Sequence, residues 1–416
     1  ECEFFFTFCS LWARRDDDVV DGAGGGGGGG GTTLSTARGT RANVPGPDPA
    51  VVVKMKDVGV FQDAAKDAEL LRTALKKFIG KDSDTIIAVF AKRSREQLVQ
   101  ISAAYAKTFK RDLAKDIKSK SPTSVDFRKL CKYMMLKPLR YDCEMLKEAM
   151  ASKLGADHAM LAEVLCTKTA AEINDLIVAY KTVHLTILGD EVRKASKGFF
   201  SKHFMHLLEG LLSCKRKKDD DEGEGDLEAV KADAELLWKA GEGKWFGTDE
   251  MAFIDVFTTR SFKHLRMVCD AYVDVPKNKK QHTIDEAIEG ETSSNFGRAL
   301  SLLVARARGD MTDFHVHRLY KSMKGLGTDD RTLMHTVITL HATSSLQKVA
   351  EEFYHTYGKT LSEWVHGDTS GDYRKLLLAL IGQESVDRYG EPRCGDKPGG
   401  RSPRPGGGGG GGAAGG

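Results

Sequence analysis

The eight cysteines, at positions 2, 9, 131, 143, 166, 214, 269 and 394, never stand in the C-x-x-C spacing of a zinc or redox centre. Reduced thiols in a cytoplasmic protein are the expectation. There is no apolar run approaching the roughly eighteen residues a membrane-spanning helix needs. The opening ECEFFFTFCSLW is apolar but has no basic segment or Met ahead of it, so a secretory leader is not expected. Charge of one sign is missing too. Lys and Arg number 62 against 59 Asp and Glu, a net +3 that builds no field for nucleic acid. No stretch alternates with the period of a strand. Neither an acid pair nor a Ser or Cys beside a His forms a catalytic constellation, so no enzyme is expected.

What is present is a globular core between two glycine-rich ends. Of 416 residues, 41% are hydrophobic and 29% charged. Residues 1–61 hold an unbroken Gly24 to Gly31 and then PGPDP, and residues 391–416 read EPRCGDKPGGRSPRPGGGGGGGAAGG. Neither end carries enough apolar surface to offset the entropy of ordering, so both are expected to be disordered tails, available to cytoskeletal or other protein partners. Between them, segments such as AELLRTALKKFI and DLEAVKADAELLWKAG repeat apolar residues at helical spacing.

Self-similarity organises that core. Four segments align, beginning at Ala68, Cys143, Ala234 and Val316, and their aspartates 82, 157, 249 and 329 recur at steps of 75, 92 and 80 residues. Such a period suits a unit of about five short helices. The expected organisation is unit one at 62–138, unit two at 139–213, a charged linker at 214–226, unit three at 227–309 and unit four at 310–390. The linker, CKRKKDDDEGEGD, mixes basic residues with acids at once and reads as a solvated connection.

The motifs inside the units carry a family resemblance. Unit four has MKGLGTDD with GDTSGDY downstream, unit three has AGEGKWFGTDE with GETSSN, and unit one has KRSREQLVQISAAY. In these motifs, and in their fourfold register, the chain resembles the annexin family over about residues 62 to 390. The resemblance implies an all-α fold: four repeats of about five short helices forming a curved disc. It also implies calcium-dependent binding of the convex face to acidic phospholipid, with the protein cytoplasmic and peripheral to the membrane when calcium rises.

The implied calcium set in unit four is the carbonyls of Met323, Gly325 and Gly327 with the carboxylate of Asp368. Calcium takes about six to eight oxygens, and neutral carbonyls serve where glycine lets the chain turn them inward. One carboxylate leaves charge and ligand positions for lipid phosphate, so calcium and membrane strengthen each other's binding. Thr328 would offer its hydroxyl and amide to a phosphate near the next helix. Taken alone, GLGTDD also suits a capping turn with a Thr N-cap; the downstream acid and the register favour the site.

The units are not equivalent. Unit one has Phe78 for the first glycine, Lys81 for the threonine and Lys120 at the acid position, where an ammonium repels a cation. Unit two has Ala195 at that position. Neither is expected to hold calcium. Unit three keeps Gly241, Gly243, Gly247, Thr248 and Glu291, with Trp245 and the inserted Phe246 as candidate interfacial aromatics. Lys76, Lys77, Lys81 and Lys120 are candidates for calcium-independent contact with anionic lipid. Binding is therefore expected mainly through units three and four. The alternative is a scaffold for cytoskeletal or other proteins with little calcium dependence.

Three further patterns are set aside. YGKT at 357–360 lacks the glycine and preceding strand of a phosphate loop. The pairs His203 with His206 and His315 with His317 lack companion ligands and suit amphipathic faces. The family's arginine after the second helix is matched by Arg93 and Arg260, with Lys168 in unit two and His341 in unit four.

Overall fold

The computed structural model describes residues 58–388 apart from 77–81, 121–123, 152–155, 196–201, 220–226, 244–247, 276–280 and 292–293. Among the described residues there are twenty helices and no strand, five helices to each unit. Unit one comprises α1 (Ala64–Lys76), α2 (Ser83–Lys92), α3 (Arg95–Phe109), α4 (Leu113–Lys120) and α5 (Val125–Met134). Unit two comprises α6 (Pro138–Met150), α7 (His158–Cys166), α8 (Ala170–His184), α9 (Leu188–Ala195) and α10 (Lys202–Leu212). Unit three comprises α11 (Leu227–Ala240), α12 (Glu250–Thr259), α13 (Phe262–Ala271), α14 (Ile284–Glu291) and α15 (Ser294–Arg308). Unit four comprises α16 (Thr312–Met323), α17 (Asp330–Ala342), α18 (Leu346–Tyr357), α19 (Leu361–Asp368) and α20 (Gly371–Arg388).

The aspartates that set the register are helix caps. Asp82, Asp157, Asp249 and Asp329 each precede the second helix of their unit, and each carboxylate accepts an amide three residues on, from Thr85, Met160, Ala252 and Thr332. A cap of this kind is worth about 1 kcal/mol. This accounts for an aspartate at the same place in all four units, whatever became of the rest of the loop. It also moves the expected N-cap by one residue, from Thr328 to Asp329.

Apolar spacing decides how the helices pack. In every unit the first helix lies against the second and the third. Between units the second and fifth helices pair reciprocally. α20 packs on α2 and α5 on α17, joining units four and one; α10 packs on α12 and α15 on α7, joining units two and three. Fully buried Phe90, Phe127, Phe204, Phe253, Phe257 and Phe296 come from those helices. Burying a large side chain of this type contributes about 1.5–3 kcal/mol, so the pairs of units share their cores.

Three expectations need correction. The first tail does not run to residue 61: Arg93 Nη1 donates to the Gly59 carbonyl at 3.0 Å and Nη2 to that of Val58 at 3.3 Å, while its guanidinium faces the Phe61 ring. The remainder of both tails lies outside the described residues. The linker is not a free solvated connection at its start. Arg216 is buried, its guanidinium donating to the carbonyls of Phe257 at 2.6 Å and Arg260 at 2.7 Å and lying 4.2 Å from the Phe262 ring centroid. Carbonyls left at the end of α12 are what attract it.

The third correction concerns His341. Arg93, Lys168 and Arg260 pair with Asp67 at 2.7 Å, Asp142 at 2.7 Å and Asp233 at 2.6 Å, acids on the first helices of their own units. In unit four α17 runs to 13 residues where α2, α7 and α12 have 10, 9 and 10. His341 therefore lies inside a longer helix rather than in the turn after it. Burial pushes its imidazole below the ordinary range, the nearest charges being Glu96 and Arg95 of unit one.

Candidate metal centre

The loop of unit four is built by three constraints. Met323 ends α16 with its side chain 1% exposed, and the last carbonyls of a helix have no intrahelical donor. Gly325 and Gly327 then take φ of +114° and +84°, and nothing stands near enough to meet a Cβ at either. The backbone alone therefore demands glycine there. Finally, the Asp329 amide donates to the Ser322 carbonyl at 2.7 Å and closes the turn before α17. Leu326, held between the two glycines, projects with its side chain fully exposed at 110%.

Asp368 is the last residue of α19. A carboxylate there faces the negative end of the helix dipole, at a cost of about 0.3–1 kcal/mol. The structure brings it to the loop: Thr328 Oγ1 lies 2.8 Å from Asp368 Oδ2 and 3.0 Å from the Asp368 carbonyl, with both acceptors in reach of its one proton. Nearby, Asp330 has its carboxyl pushed up, first by burial and then by the like charge of Asp126, with Asp329 and Asp368 adding to it. The corner is thus crowded with negative charge and carbonyl oxygen. Among the described residues no group of three or more His, Cys, Asp and Glu side chains could hold a metal. A cation at this loop would depend on carbonyls and the single acid, a hard-oxygen donor set that suits calcium.

The corresponding positions lie on the fourth helix of the other units, Lys120 on α4, Ala195 on α9 and Glu291 on α14, each the last described residue before an undescribed stretch. The side chains of Lys120 and Glu291, like all of Lys77 and Lys81, lie outside the described residues, whereas Lys76 is exposed at the end of α1. Loop length varies around that fixed frame. The cap amide returns to a carbonyl seven residues back in unit four (Ser322), eight in unit two (Ala149) and nine in unit three (Ala240).

Unit three departs from the pattern in its glycine chemistry. The Gly241 amide bonds the Leu237 carbonyl at 3.0 Å and that of Gly243 bonds Trp238 at 2.8 Å. Gly243 is not left-handed; a Cβ there would meet the Trp238 ring at 2.7 Å, so close packing is what requires glycine. Between them Glu242 accepts from Tyr272 at 3.2 Å and pairs with His282, which the longer connection before α14 supplies. Thr248 is half-buried ahead of its cap Asp249, while Trp245, Phe246 and Gly247 lie outside the described residues.

Sequence reading did not single out Leu326 or Glu242, and gave Thr328 a different partner. Leu326 carried a signal, being the one large apolar residue in MKGLGTDD after the buried methionine. Glu242 carried none, because Tyr272 and His282 are 30 and 40 residues away.

The profile of the Annexin family matches residues 66–134, 232–303 and 314–380, which fall in units one, three and four. Annexin A4 of Sus scrofa is 38% identical over 321 residues, spanning 77% of this chain and 95% of that protein. Among solved structures, annexin III superposes with a TM-score of 0.67 at 30% identity, covering 79% of this chain and 96% of that one. Calcium-bound annexin (Sm)1 superposes with a TM-score of 0.65 at 27% identity, over 77% of this chain and 90% of that one.

Proposed function

The chain belongs to the annexin family, and on that premise we propose that it attaches to acidic phospholipid when calcium rises, with unit four as its working site and unit three as an altered second. The observation that carries the proposal is one loop of left-handed glycines, Gly325 and Gly327, hydrogen-bonded through Thr328 to the acid Asp368. Family membership supports calcium-dependent phospholipid binding in general. The assignment to particular units rests on residues: acids stand at 291 and 368, a lysine at 120 and an alanine at 195.

In this reading the carbonyls of Met323, Gly325 and Gly327 and the carboxylate of Asp368 would hold the ion. Calcium supplies a positive bridge with open positions for lipid phosphate. The protein's part is to fix the turn, keep one negative charge at the corner and present the amide of Thr328 and the apolar tip Leu326 toward the headgroups. In unit three, Gly241, Gly243, Gly247 and Glu291 are the corresponding ligands, and Trp245, Phe246 and Thr248 the corresponding lipid contacts. Lys81 and Lys120 would add charge attraction on the side that lacks calcium. Two modest sites on one face act together by avidity.

Sedimentation with phosphatidylserine vesicles tests the reading, in calcium and in chelator, for the parent chain, Asp368→Ala and Glu291→Ala. Pelleting that needs calcium, and that weakens most with Asp368→Ala, is expected. Equal pelleting under all conditions would overturn it in favour of a calcium-independent scaffold.

A further inference from the structure

Across the four units, the residue just before the cap aspartate and the residue at the acid position on the fourth helix change together. They are Lys81 with Lys120 in unit one, Ala156 with Ala195 in unit two, Thr248 with Glu291 in unit three and Thr328 with Asp368 in unit four. About 40 residues of chain separate the partners, and sequence alone gives no reason for the correlation. In unit four the reason is on view: the Thr328 hydroxyl sits 2.8 Å from Asp368 Oδ2 and 3.0 Å from the Asp368 carbonyl.

We propose that Thr328 is a positioning residue for the metal-ligating acid, and that hydroxyl and carboxylate form one functional pair, present in the two units that bind calcium and absent from the two that do not. The proposal rests on the calcium reading of the unit-four loop. The physical need is plain. Asp368 ends α19, where the dipole and the unpaired carbonyls repel its charge and turn it toward bulk water. A hydroxyl whose one proton is directed at the carboxylate, with the Asp368 carbonyl also in reach, opposes that tendency and holds the acid over the loop.

The donor does not compete with a cation. A carboxylate offers about four lone-pair sites, and a hydroxyl fills one of them. Nor does the bond waste a lipid contact, because the Thr328 amide remains separate from the hydroxyl. Thr328 also follows Gly327 directly, so the bond fixes the distance between the carbonyl donors of the loop and the acid from 40 residues further on. Partners that orient a metal ligand commonly change metal affinity by about 10- to 100-fold when removed.

The test uses the full chain in a Glu291→Ala background, so that unit three is silent. Calcium is titrated calorimetrically without vesicles, then with phosphatidylserine vesicles, for Thr328→Val, Thr328→Ser and Asp368→Ala. Thr328→Val keeps the shape and β-branching but removes the donor; Thr328→Ser keeps the donor. The expected result is a calcium midpoint raised by about tenfold or more in Thr328→Val, seen already without vesicles, and a midpoint near the parent value in Thr328→Ser. A Thr328→Val midpoint unchanged without vesicles, while Asp368→Ala is impaired, overturns the proposal alone and makes the hydroxyl a lipid contact. A calcium titration insensitive to Asp368→Ala removes the metal reading of the loop and the proposal with it.

Discussion

Arg318 and Glu163 form a buried ion pair at 3.1 Å across 155 positions of chain, joining the first helix of unit four to the second helix of unit two. Around it His335 Nε2 stands 3.5 Å from the other Glu163 oxygen, and His335 Nδ1 meets the Tyr141 hydroxyl at 2.9 Å. On the other side Arg318 reaches Thr332, whose hydroxyl bonds the cap Asp329 at 2.7 Å. The reciprocal packing of units one with four and two with three leaves this polar seam as a link between the pairs.

Acid should loosen the seam in two steps. Burial pushes His315 down to about 4 from an ordinary 6.5, against the pull of Glu163. A histidine held neutral in the fold is protonated first in the unfolded chain, so its contribution falls as pH drops from about 6.5 to about 4. The loss is about 3 kcal/mol at most. For Glu163 burial acts upward, but His335 and Arg318 outweigh it and hold the carboxyl at about 2, below its usual 4.5. Its contribution is complete above about 4.5 and disappears between there and 2. Asp313, raised by burial and by Glu352 and Asp310 to about 6, works in the opposite sense over the first window. The measurement is therefore a difference: denaturant unfolding of parent and His315→Gln at pH 7 and pH 5, with the parent losing more stability on acidification.

Glu163→Leu, which leaves Arg318 buried without its partner, should cost about 3–5 kcal/mol in the same assay. Replacing both residues, Glu163→Leu with Arg318→Met, should recover most of that loss. Equal stability of the single and double variants would show that the pair is not what the seam depends on.

The register aspartates separate capping from calcium. Asp82→Ala and Asp329→Ala remove equivalent caps, from a unit whose loop has Lys81 and Lys120 and from one that has Thr328 and Asp368. Both should lower stability by about 1 kcal/mol. Of the two, only Asp329→Ala should raise the calcium needed for vesicle pelleting, because the unit-four loop leads to Asp368 and the unit-one loop to Lys120. Loss of calcium response in Asp82→Ala would contradict the division of the units.

Much of this was legible before the helices were seen. The spacing of Asp82, Asp157, Asp249 and Asp329 exposed four units, and the acid position that the family resemblance implied in unit four falls on the last residue of α19. Short-range patterns carry that information because caps and apolar stripes act over a few residues. The Thr328 bond to Asp368, the Glu242 contacts and the Arg318 pair were not legible, since each depends on side chains meeting across 30 residues or more. Arg216 was misread for a related reason: a charged run says nothing about carbonyls waiting at the end of α12.

Arg216→Ala should test how firmly the linker seats unit three. Burial pushes its guanidinium down to about 10, still charged at neutral pH; two carbonyls accept from Nη1 and Nη2, while Nε is buried without a partner. Removing it leaves those acceptors unpaired, a cost of about 1–3 kcal/mol for each buried group that water does not reach. Limited proteolysis should cut the variant at residues 215–218 faster than the parent, and an unchanged rate would place the linker's anchorage elsewhere.

Glycines in the two loops should fail differently. Gly325 and Gly327 have open space around them and left-handed backbones, so Gly325→Ala and Gly327→Ala oppose only the turn, at about 1–2 kcal/mol for a residue near the left-handed region and more at the wider φ of Gly325. The loop is exposed and relaxes, so the thermal midpoint should barely move while the calcium midpoint for vesicle pelleting rises. Gly243→Ala meets the Trp238 ring at 2.7 Å and the Lys239 Cα at 2.9 Å, neither a flexible chain end. It should lower the thermal midpoint of unit three without needing calcium to reveal the defect. If Gly325→Ala melted early and kept its calcium response, the left-handed turn would be serving the fold and not the ion.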